Sequence, residues 1–116
     1  MFFTRQVQHG EKVGRKIGFP TLNFEVEDLP DQLEQGVYAA YASVEGNRHK
    51  GALYLGPKKG GDIVLELHLL DFDRQIYGQS VEVEVLDKIR DPQKFNSVEE
   101  MTSAIKKDVE EIRRAM

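Results

Sequence analysis

The chain has 116 residues, 40% of them hydrophobic, which is enough for one domain with a buried core, over residues 1–116, and too few for two. The chain has sixteen Lys and Arg residues and twenty Asp and Glu residues, which give a net charge of −4. This negative charge disfavours a protein that binds nucleic acid mainly through its phosphates. The absence of cysteine excludes disulfides, thiolate nucleophiles and cysteine-ligated metals. With no apolar leader or membrane-length segment, we expect a cytoplasmic protein.

A short basic stretch near the N-terminus is punctuated by glycines. It contains three glycines and three basic residues, Gly10, Gly14, Gly18, Lys12, Arg15 and Lys16. Glycines let the backbone direct several N–H groups toward one anion, and the basic side chains add positive charge, so the stretch is a candidate phosphate-binding loop. Glycines also serve tight corners in small barrels, which leaves a purely structural role open for this segment alone.

The residues after the glycines predict a short strand with polar side chains on one face. Pro20 donates no backbone hydrogen bond and suits the start of a strand, and residues 21–24 continue as extended chain. Thr21 and Asn23 then share a face, with their side chains roughly 6 to 7 Å apart, whereas Leu22 faces the core. Their oxygens suit a phosphate-bound Mg²⁺, which prefers hard oxygen ligands.

Most of the following residues predict short strands between turns. Strands are expected at 36–44, 52–55, 63–70 and 80–85, with turns at 45–48, 56–62 and 71–74 between them. The first two of these strands form a hairpin in this interpretation. The valines at 81, 83 and 85 alternate with polar residues, which is typical of a strand with one face in water.

Glu66 is the notable side chain of the strongly apolar strand at 63–70. The residues at 63, 65, 67 and 69 are aliphatic and share one face, so Glu66 and His68 point to the other. A carboxylate there can stay ionised and reach a substrate hydroxyl on the outer surface, as a general base requires. An ordinary solvated strand glutamate is the alternative.

Three histidines and two tyrosines are further candidate site residues. His9, His49 and His68 lack metal-ligand spacing and no cysteine accompanies them, so we expect no zinc site. A structural role is expected for His68. Tyr38 and Tyr41 lie on opposite faces of their strand and are expected to pack.

The C-terminal residues change from strand to helix periodicity. Ser97 and Glu100 form an S-x-x-E capping box. Apolar residues then recur in steps of three and four, at Val98, Met101, Ile105, Val109, Ile112 and Met116. The sequence therefore predicts a mainly β fold, a small closed antiparallel β-barrel of about six strands with a C-terminal α-helix, since closure leaves no unpaired sheet edge.

Six short motifs occur in one order along the chain. They are residues 14–23 (GRKIGFPTLN), 36–38 (GVY), 65–72 (LELHLLDF), 77–78 (YG), 89–91 (IRD) and 95–97 (FNS). In order and approximate spacing they resemble the riboflavin kinase family over nearly the whole chain. They resemble neither the CTP-dependent archaeal kinases nor the nucleotidyltransferase half of FAD synthetases.

The resemblance implies Mg²⁺-dependent transfer of the γ-phosphoryl group of ATP to the 5′-hydroxyl of riboflavin, giving FMN and ADP. It implies a barrel of about six strands in which riboflavin lies between the barrel and the helix side. The nucleotide-binding residues that it assigns are Gly10, Gly14, Arg15, Lys16, Gly18, Pro20, Thr21 and Asn23.

The resemblance also assigns the other site residues. Thr21 and Asn23 become the metal ligands, and Glu66 becomes the catalytic residue that orients the riboflavin hydroxyl and takes its proton. Arg90 matches the family's arginine in a loop beside the flavin and the product phosphate, and Phe95 would cover the flavin ring. Pairing of Arg90 with an acidic residue near the helix is the alternative.

Two departures from the family pattern leave alternatives open. Leu22 stands where the family usually has Ala, and Tyr54-Leu55-Gly56 stands where it usually has Asn-Ile-Gly followed by a longer loop. A flavin- or nucleotide-binding barrel with weak or lost kinase activity, owing to the shortened loop 56–62, is therefore one rival. A barrel that binds RNA or protein without chemistry is another, which the acidic balance disfavours. We expect riboflavin and ATP as partners, with no nucleic acid or membrane, and a monomer is compatible with the sequence.

Overall fold

Six antiparallel strands and one helix form the part of the chain that the structure, a computed structural model, describes: residues 1–8, 21–58, 60–72 and 76–115. The strands are β1 (Phe2–Gln6), β2 (Thr21–Phe24), β3 (Gly36–Val44), β4 (Asn47–Pro57), β5 (Ile63–Leu69) and β6 (Ser80–Arg90), and the helix is α1 (Val98–Ala115). The predicted mainly β fold with a C-terminal helix is confirmed. Within these ranges, no helix combines the length and the apolar character needed to cross a membrane.

The strands form one sheet in the order β1-β6-β3-β4-β5-β2, in which all neighbouring pairs are antiparallel. The sheet curls into a half-barrel with β1 and β2 at its two ends. Just beyond β1, the Gln8 N–H donates a 2.8 Å hydrogen bond to the Asn23 carbonyl in a single isolated bridge. The predicted closed barrel is not confirmed, because one bridge is not a ladder of paired residues.

The hairpin that the sequence predicts is formed by β3 and β4. Glu45 and Gly46 connect the two strands with φ angles of 50° and 83°, the positive values that suit the right-handed twist of a tight hairpin. β4 is longer than the predicted 52–55, because polar residues that carry no strand signal also pair with β3. The sequence analysis missed β1, in which Phe3 is the one buried side chain.

The inner face of the sheet carries the main core. On β2 the side chains of Leu22 and Phe24 are buried while Thr21 and Asn23 are half-buried, which confirms the predicted alternation. On β5 the leucines at 65, 67 and 69 are each at most 2% exposed. Ile63 was expected on the same core face but is 41% exposed, because it pairs with Pro57 at the end of the sheet.

Helix α1 covers part of the outer face of the sheet. The contact is a second apolar group, called here the helix-side cluster, formed by Val37, Ala39, Ala52, Leu70, Ile105, Val109 and Ile112. Val98 is 59% exposed, so the apolar stripe begins at Met101 and not at the predicted residue, and Met116 lies outside the described residues. Burial of the apolar stripe against the sheet holds α1 in place.

The predicted capping box at the start of α1 is present in slightly altered form. The Glu100 N–H donates a 3.1 Å hydrogen bond to the Ser97 hydroxyl, as predicted. The Glu100 carboxylate accepts a 2.8 Å hydrogen bond from the Asn96 N–H. Two backbone groups at the helix start are thereby satisfied, which fixes where α1 begins.

Candidate active site

One cross-strand row of residues on the outer face contains three of the predicted site residues, Asn23, Glu66 and Arg90. Asn23 on β2 lies directly opposite Glu66 on β5, Glu66 opposite Tyr54 on β4, Tyr54 opposite Val37 on β3, and Val37 opposite Arg90 on β6. Residues directly opposite one another in antiparallel strands project from the same face. Helix α1 covers the Val37 part of this outer row, whereas Asn23 and Glu66 stay half-buried beside it.

Asn23 and Glu66 share a cavity as well as a register position. The cavity has a volume of about 310 Å³ and is also lined by Gln8, Lys58 and the residues that follow β2. The loop that carries Lys58 is closed by a 2.8 Å hydrogen bond from the Lys58 N–H to the Asp62 carbonyl. Asn23, Lys58 and Glu66 therefore line one space, together with Glu25 and Glu27, although they come from three separate parts of the chain.

His68 links Thr21 to Glu66 on the same face. Its Nδ1 lies 3.0 Å from the Thr21 hydroxyl oxygen, and its Nε2 lies 4.0 Å from a carboxylate oxygen of Glu66. Burial lowers the pKa of His68 from 6.5 to about 4, so the ring is neutral at pH 7. His68 consequently orients Thr21 without supplying a positive charge to Glu66.

Tyr54 is a member of the outer row that the sequence analysis did not assign to the site. Burial, together with the negative charge of Glu66, raises the pKa of its phenol above the ordinary 10.0, and the positive charge of Arg90 acts in the opposite direction. The sequence did contain one indication that this position is unusual, because Tyr54 stands where the family usually has the Asn of Asn-Ile-Gly. Only the strand register places this position beside Glu66.

Arg90 forms a buried ion pair with helix α1. Its Nε and Nη2 donate hydrogen bonds of 3.0 and 2.9 Å to the two carboxylate oxygens of Asp108, a side chain that is 5% exposed and that sequence reasoning missed. Arg90 is the last residue of β6 and not part of a loop, which corrects the position implied by the resemblance. The pairing with an acidic residue of the helix, the alternative stated for Arg90, is present. The half-buried Phe95 ring lies 5.8 Å from the guanidinium carbon, and the flavin contacts of both residues stay predictions.

The predicted phosphate-binding loop lies outside the described residues. This applies to Gly10, Gly14, Arg15, Lys16, Gly18 and Pro20, and to His9 among the histidines. Their assignments stay predictions. In the ranges that the structure does describe, no group of three or more His, Cys, Asp or Glu side chains could hold a metal ion.

A comparison with protein families finds a match that extends over the whole sequence. The profile of the flavokinase family, described as riboflavin kinase, matches residues 1–116. The chain belongs to the riboflavin kinase family. The half-barrel, the terminal helix and the pairing of Asn23 with Glu66 are thus features of a member of this family.

Relatives of known function carry the same family name. The "RNA-binding riboflavin kinase RibR" of Bacillus subtilis is 41% identical over 107 residues, which are 89% of this chain and 46% of that protein. Bifunctional riboflavin kinase/FMN adenylyltransferases match as well, and the chain covers 35% of their length. The chain thus spans between a third and a half of the length of these curated relatives.

Solved structures agree with the family assignment at the level of the fold. Riboflavin kinase from Trypanosoma brucei superposes with a TM-score of 0.69 at 26% identity, over 98% of this chain and 78% of that one. The crystal structure of a macrolide-efflux protein from Streptococcus pneumoniae superposes with a TM-score of 0.84 at 32% identity, over 97% of this chain. Because the match covers only 38% of that second protein, its name describes a much longer polypeptide.

Proposed function

We propose that the chain is a riboflavin kinase, which transfers the γ-phosphoryl group of ATP to the 5′-hydroxyl of riboflavin and releases FMN and ADP. The observation that carries the proposal is the position of Glu66 directly opposite Asn23, with both side chains lining one cavity. This position supports a carboxylate that faces the acceptor hydroxyl and an amide that faces the donor phosphates. The family of the chain and the names of its relatives support the same reaction.

A divalent metal, for which we propose Mg²⁺, fits the oxygen atoms on the outer face of β2. Thr21 and Asn23 are half-buried and offer hydroxyl and amide oxygens, the hard donors that Mg²⁺ prefers. Two protein ligands suit this ion, since it commonly completes its shell with water and substrate phosphates. When bound, such an ion neutralises negative charge on the phosphates. His68 holds the Thr21 side chain at 3.0 Å, which supports a defined position for the hydroxyl oxygen.

Glu66 is the proposed base of the reaction. Its carboxylate accepts the proton of the riboflavin 5′-hydroxyl while that oxygen bonds to the γ-phosphorus and the bond to the leaving ADP oxygen breaks. The neutral state of His68 supports this role, because a protonated imidazole 4.0 Å away would weaken the carboxylate as a base. Phosphoryl transfer depends mainly on the alignment of the acceptor hydroxyl with the donor phosphate. The pairing of β2 with β5 supports such alignment, because it holds Asn23, proposed to face ATP, opposite Glu66, proposed to face riboflavin.

Three further assignments belong to the same proposal. The glycine-rich segment at 10–18 holds the phosphates of ATP, and Lys58, which lines the cavity, adds positive charge there. Arg90 and Phe95 border the flavin on the helix side. The 5.8 Å distance between the Arg90 guanidinium carbon and the Phe95 ring centre supports this assignment. The half-barrel closes between the residues after β1 and β2, supported by the Gln8–Asn23 bridge. The net charge of −4 supports small-molecule substrates over nucleic acid.

The test is to incubate the purified chain with riboflavin and MgATP, and separately with MgCTP or with MgATP plus excess EDTA, and to separate FMN from riboflavin by chromatography. We expect FMN with MgATP, much less with MgCTP and none with EDTA. Riboflavin or ATP binding without any FMN would instead establish the binding-barrel alternative, in which the shortened loop 56–62 has removed turnover.

A further inference from the structure

Tyr54 occupies the outer row between the proposed base and Arg90. It lies directly opposite Glu66 on one side and Val37 on the other, and Val37 lies opposite Arg90. Directly opposite side chains are on the order of 5 Å apart at Cβ. Helix α1 covers Val37, so a molecule that extends from Glu66 along this row toward the edge of the helix passes over Tyr54.

The ring of Tyr54 is held in one orientation by two contacts. Its hydroxyl donates a 2.5 Å hydrogen bond to the Pro57 carbonyl, which draws the side chain along β4 toward the loop. On the way the ring lies across Gly56, where an added Cβ would stand 2.7 Å from the Tyr54 hydroxyl oxygen and 2.9 Å from Cζ. Gly56 thus leaves space that a side chain would fill.

The chemical character of this ring suits an aromatic ligand. Tyr54 is half-buried and packs against the margin of the helix-side cluster, together with Ile89 and Met101. Burial and the charge of Glu66 raise the pKa of its phenol further above neutrality, so the phenol stays protonated and can donate the hydrogen bond to Pro57. A neutral, fixed aromatic ring with a partly exposed surface loses little conformational entropy when a planar ring packs against it.

On these grounds we propose that Tyr54 contacts the planar ring system of riboflavin and sets the distance at which the ribityl 5′-hydroxyl meets Glu66. The inference rests on the proposed function. It assigns riboflavin affinity to a side chain at which this sequence departs from the usual Asn of its family. The ring supplies the contact, and the hydroxyl only steadies the ring.

The experiment compares Tyr54→Leu with Tyr54→Phe, and measures riboflavin binding by flavin fluorescence without ATP and steady-state kinetics with ATP. We expect Tyr54→Leu to weaken riboflavin binding and raise its KM roughly tenfold, because aromatic stacking is lost, with the KM for MgATP unchanged. Tyr54→Phe keeps the ring and should stay within about threefold of the parent. Tyr41→Leu is the matched control, since Tyr41 is also half-buried on the outer face but packs under Arg48 at 3.8 Å.

Equal losses in the Phe and Leu variants would overturn the inference, because they would assign the effect to the Pro57 hydrogen bond alone. Parent-like riboflavin binding by Tyr54→Leu would overturn it as well. Circular dichroism and thermal unfolding confirm that each variant is folded. A parent chain that binds riboflavin but makes no FMN would refute the proposed reaction and leave the Tyr54 inference standing, whereas a parent that binds no riboflavin would refute both.

Discussion

Asn23 and Glu66 are direct cross-strand neighbours, although they lie far apart in the sequence. The core fixes this pairing. Leu22 pairs with Leu67 and Phe24 with Leu65 on the inner face, where all four side chains are buried. A slip of one residue would turn these apolar side chains outward and bury Asn23, so the register of the core determines the geometry of the proposed site.

The first prediction concerns the base. Glu66→Gln should lower kcat by a factor on the order of 10² or more and leave riboflavin affinity nearly unchanged, because it removes the proton acceptor and retains the volume. Steady-state kinetics and flavin fluorescence measure the two effects. Glu84→Gln is the matched control, since the Glu84 side chain is 25% exposed, as is Glu66, but pairs with Arg48 instead. Unchanged turnover in the Glu66 variant would refute the assigned role.

The second prediction concerns the metal ligands. Thr21→Ala and Asn23→Ala should each raise the Mg²⁺ concentration needed for half-maximal activity, by roughly tenfold, because each removes one oxygen ligand. The measurement is a Mg²⁺ titration at fixed ATP. Ser43→Ala provides a control on the outer face of β3, where a half-buried hydroxyl is lost away from the cavity. A Mg²⁺ dependence equal to that of the parent in both site variants would show that the ligands are elsewhere.

The third prediction is a pH dependence of stability caused by His68. Its pKa in the folded protein is about 4, below the ordinary 6.5, so between these values the unfolded chain binds a proton that the folded chain does not. The free energy of unfolding of the metal-free protein should therefore fall as the pH is lowered from 6.5 to 4, by roughly 2 to 3 kcal/mol.

Urea titrations in EDTA at several pH values measure this loss. His68→Gln cannot titrate, so the contribution of His68 should be absent from its pH profile. His49→Gln is the control, because His49 packs against Phe72 at a ring distance of 5.1 Å outside the Thr21–His68 contact. An identical slope in the parent and in the His68 variant would contradict the assignment.

The fourth prediction contrasts two arginine–aspartate pairs of helix α1. Asp108→Ala should destabilise the fold by about 3 kcal/mol, because it leaves the Arg90 charge, whose side chain is 24% exposed, without its partner. Arg113→Ala removes an equally bidentate partner of Asp71, but that pair is solvent-exposed, so its loss should scarcely move the unfolding midpoint. Chemical denaturation measures both. Similar effects of the two substitutions would mean that burial of the Arg90 pair adds nothing to stability.

Local patterns in the sequence predicted which side chains point inward and outward. The alternation on β2 and β5 depends only on the two-residue period of a strand, and it placed Thr21, Asn23 and Glu66 on outer faces correctly. The Ser97 cap and the Ile105–Ile112 stripe likewise follow from short-range periodicity. Each of these properties is set by residues a few positions apart.

The contacts between side chains from separate segments were decided by long-range pairing of the strands. The sequence did not place Tyr54 beside Glu66, nor indicate that Asp108 would be buried against Arg90, because both depend on which strands pair and in which register. Hydrophobic burial on the inner face selects that register over the whole sheet at once, and no short segment contains the information. The sequence by itself determined the family, the faces and the candidate chemistry, whereas the tertiary structure decided which of those side chains meet.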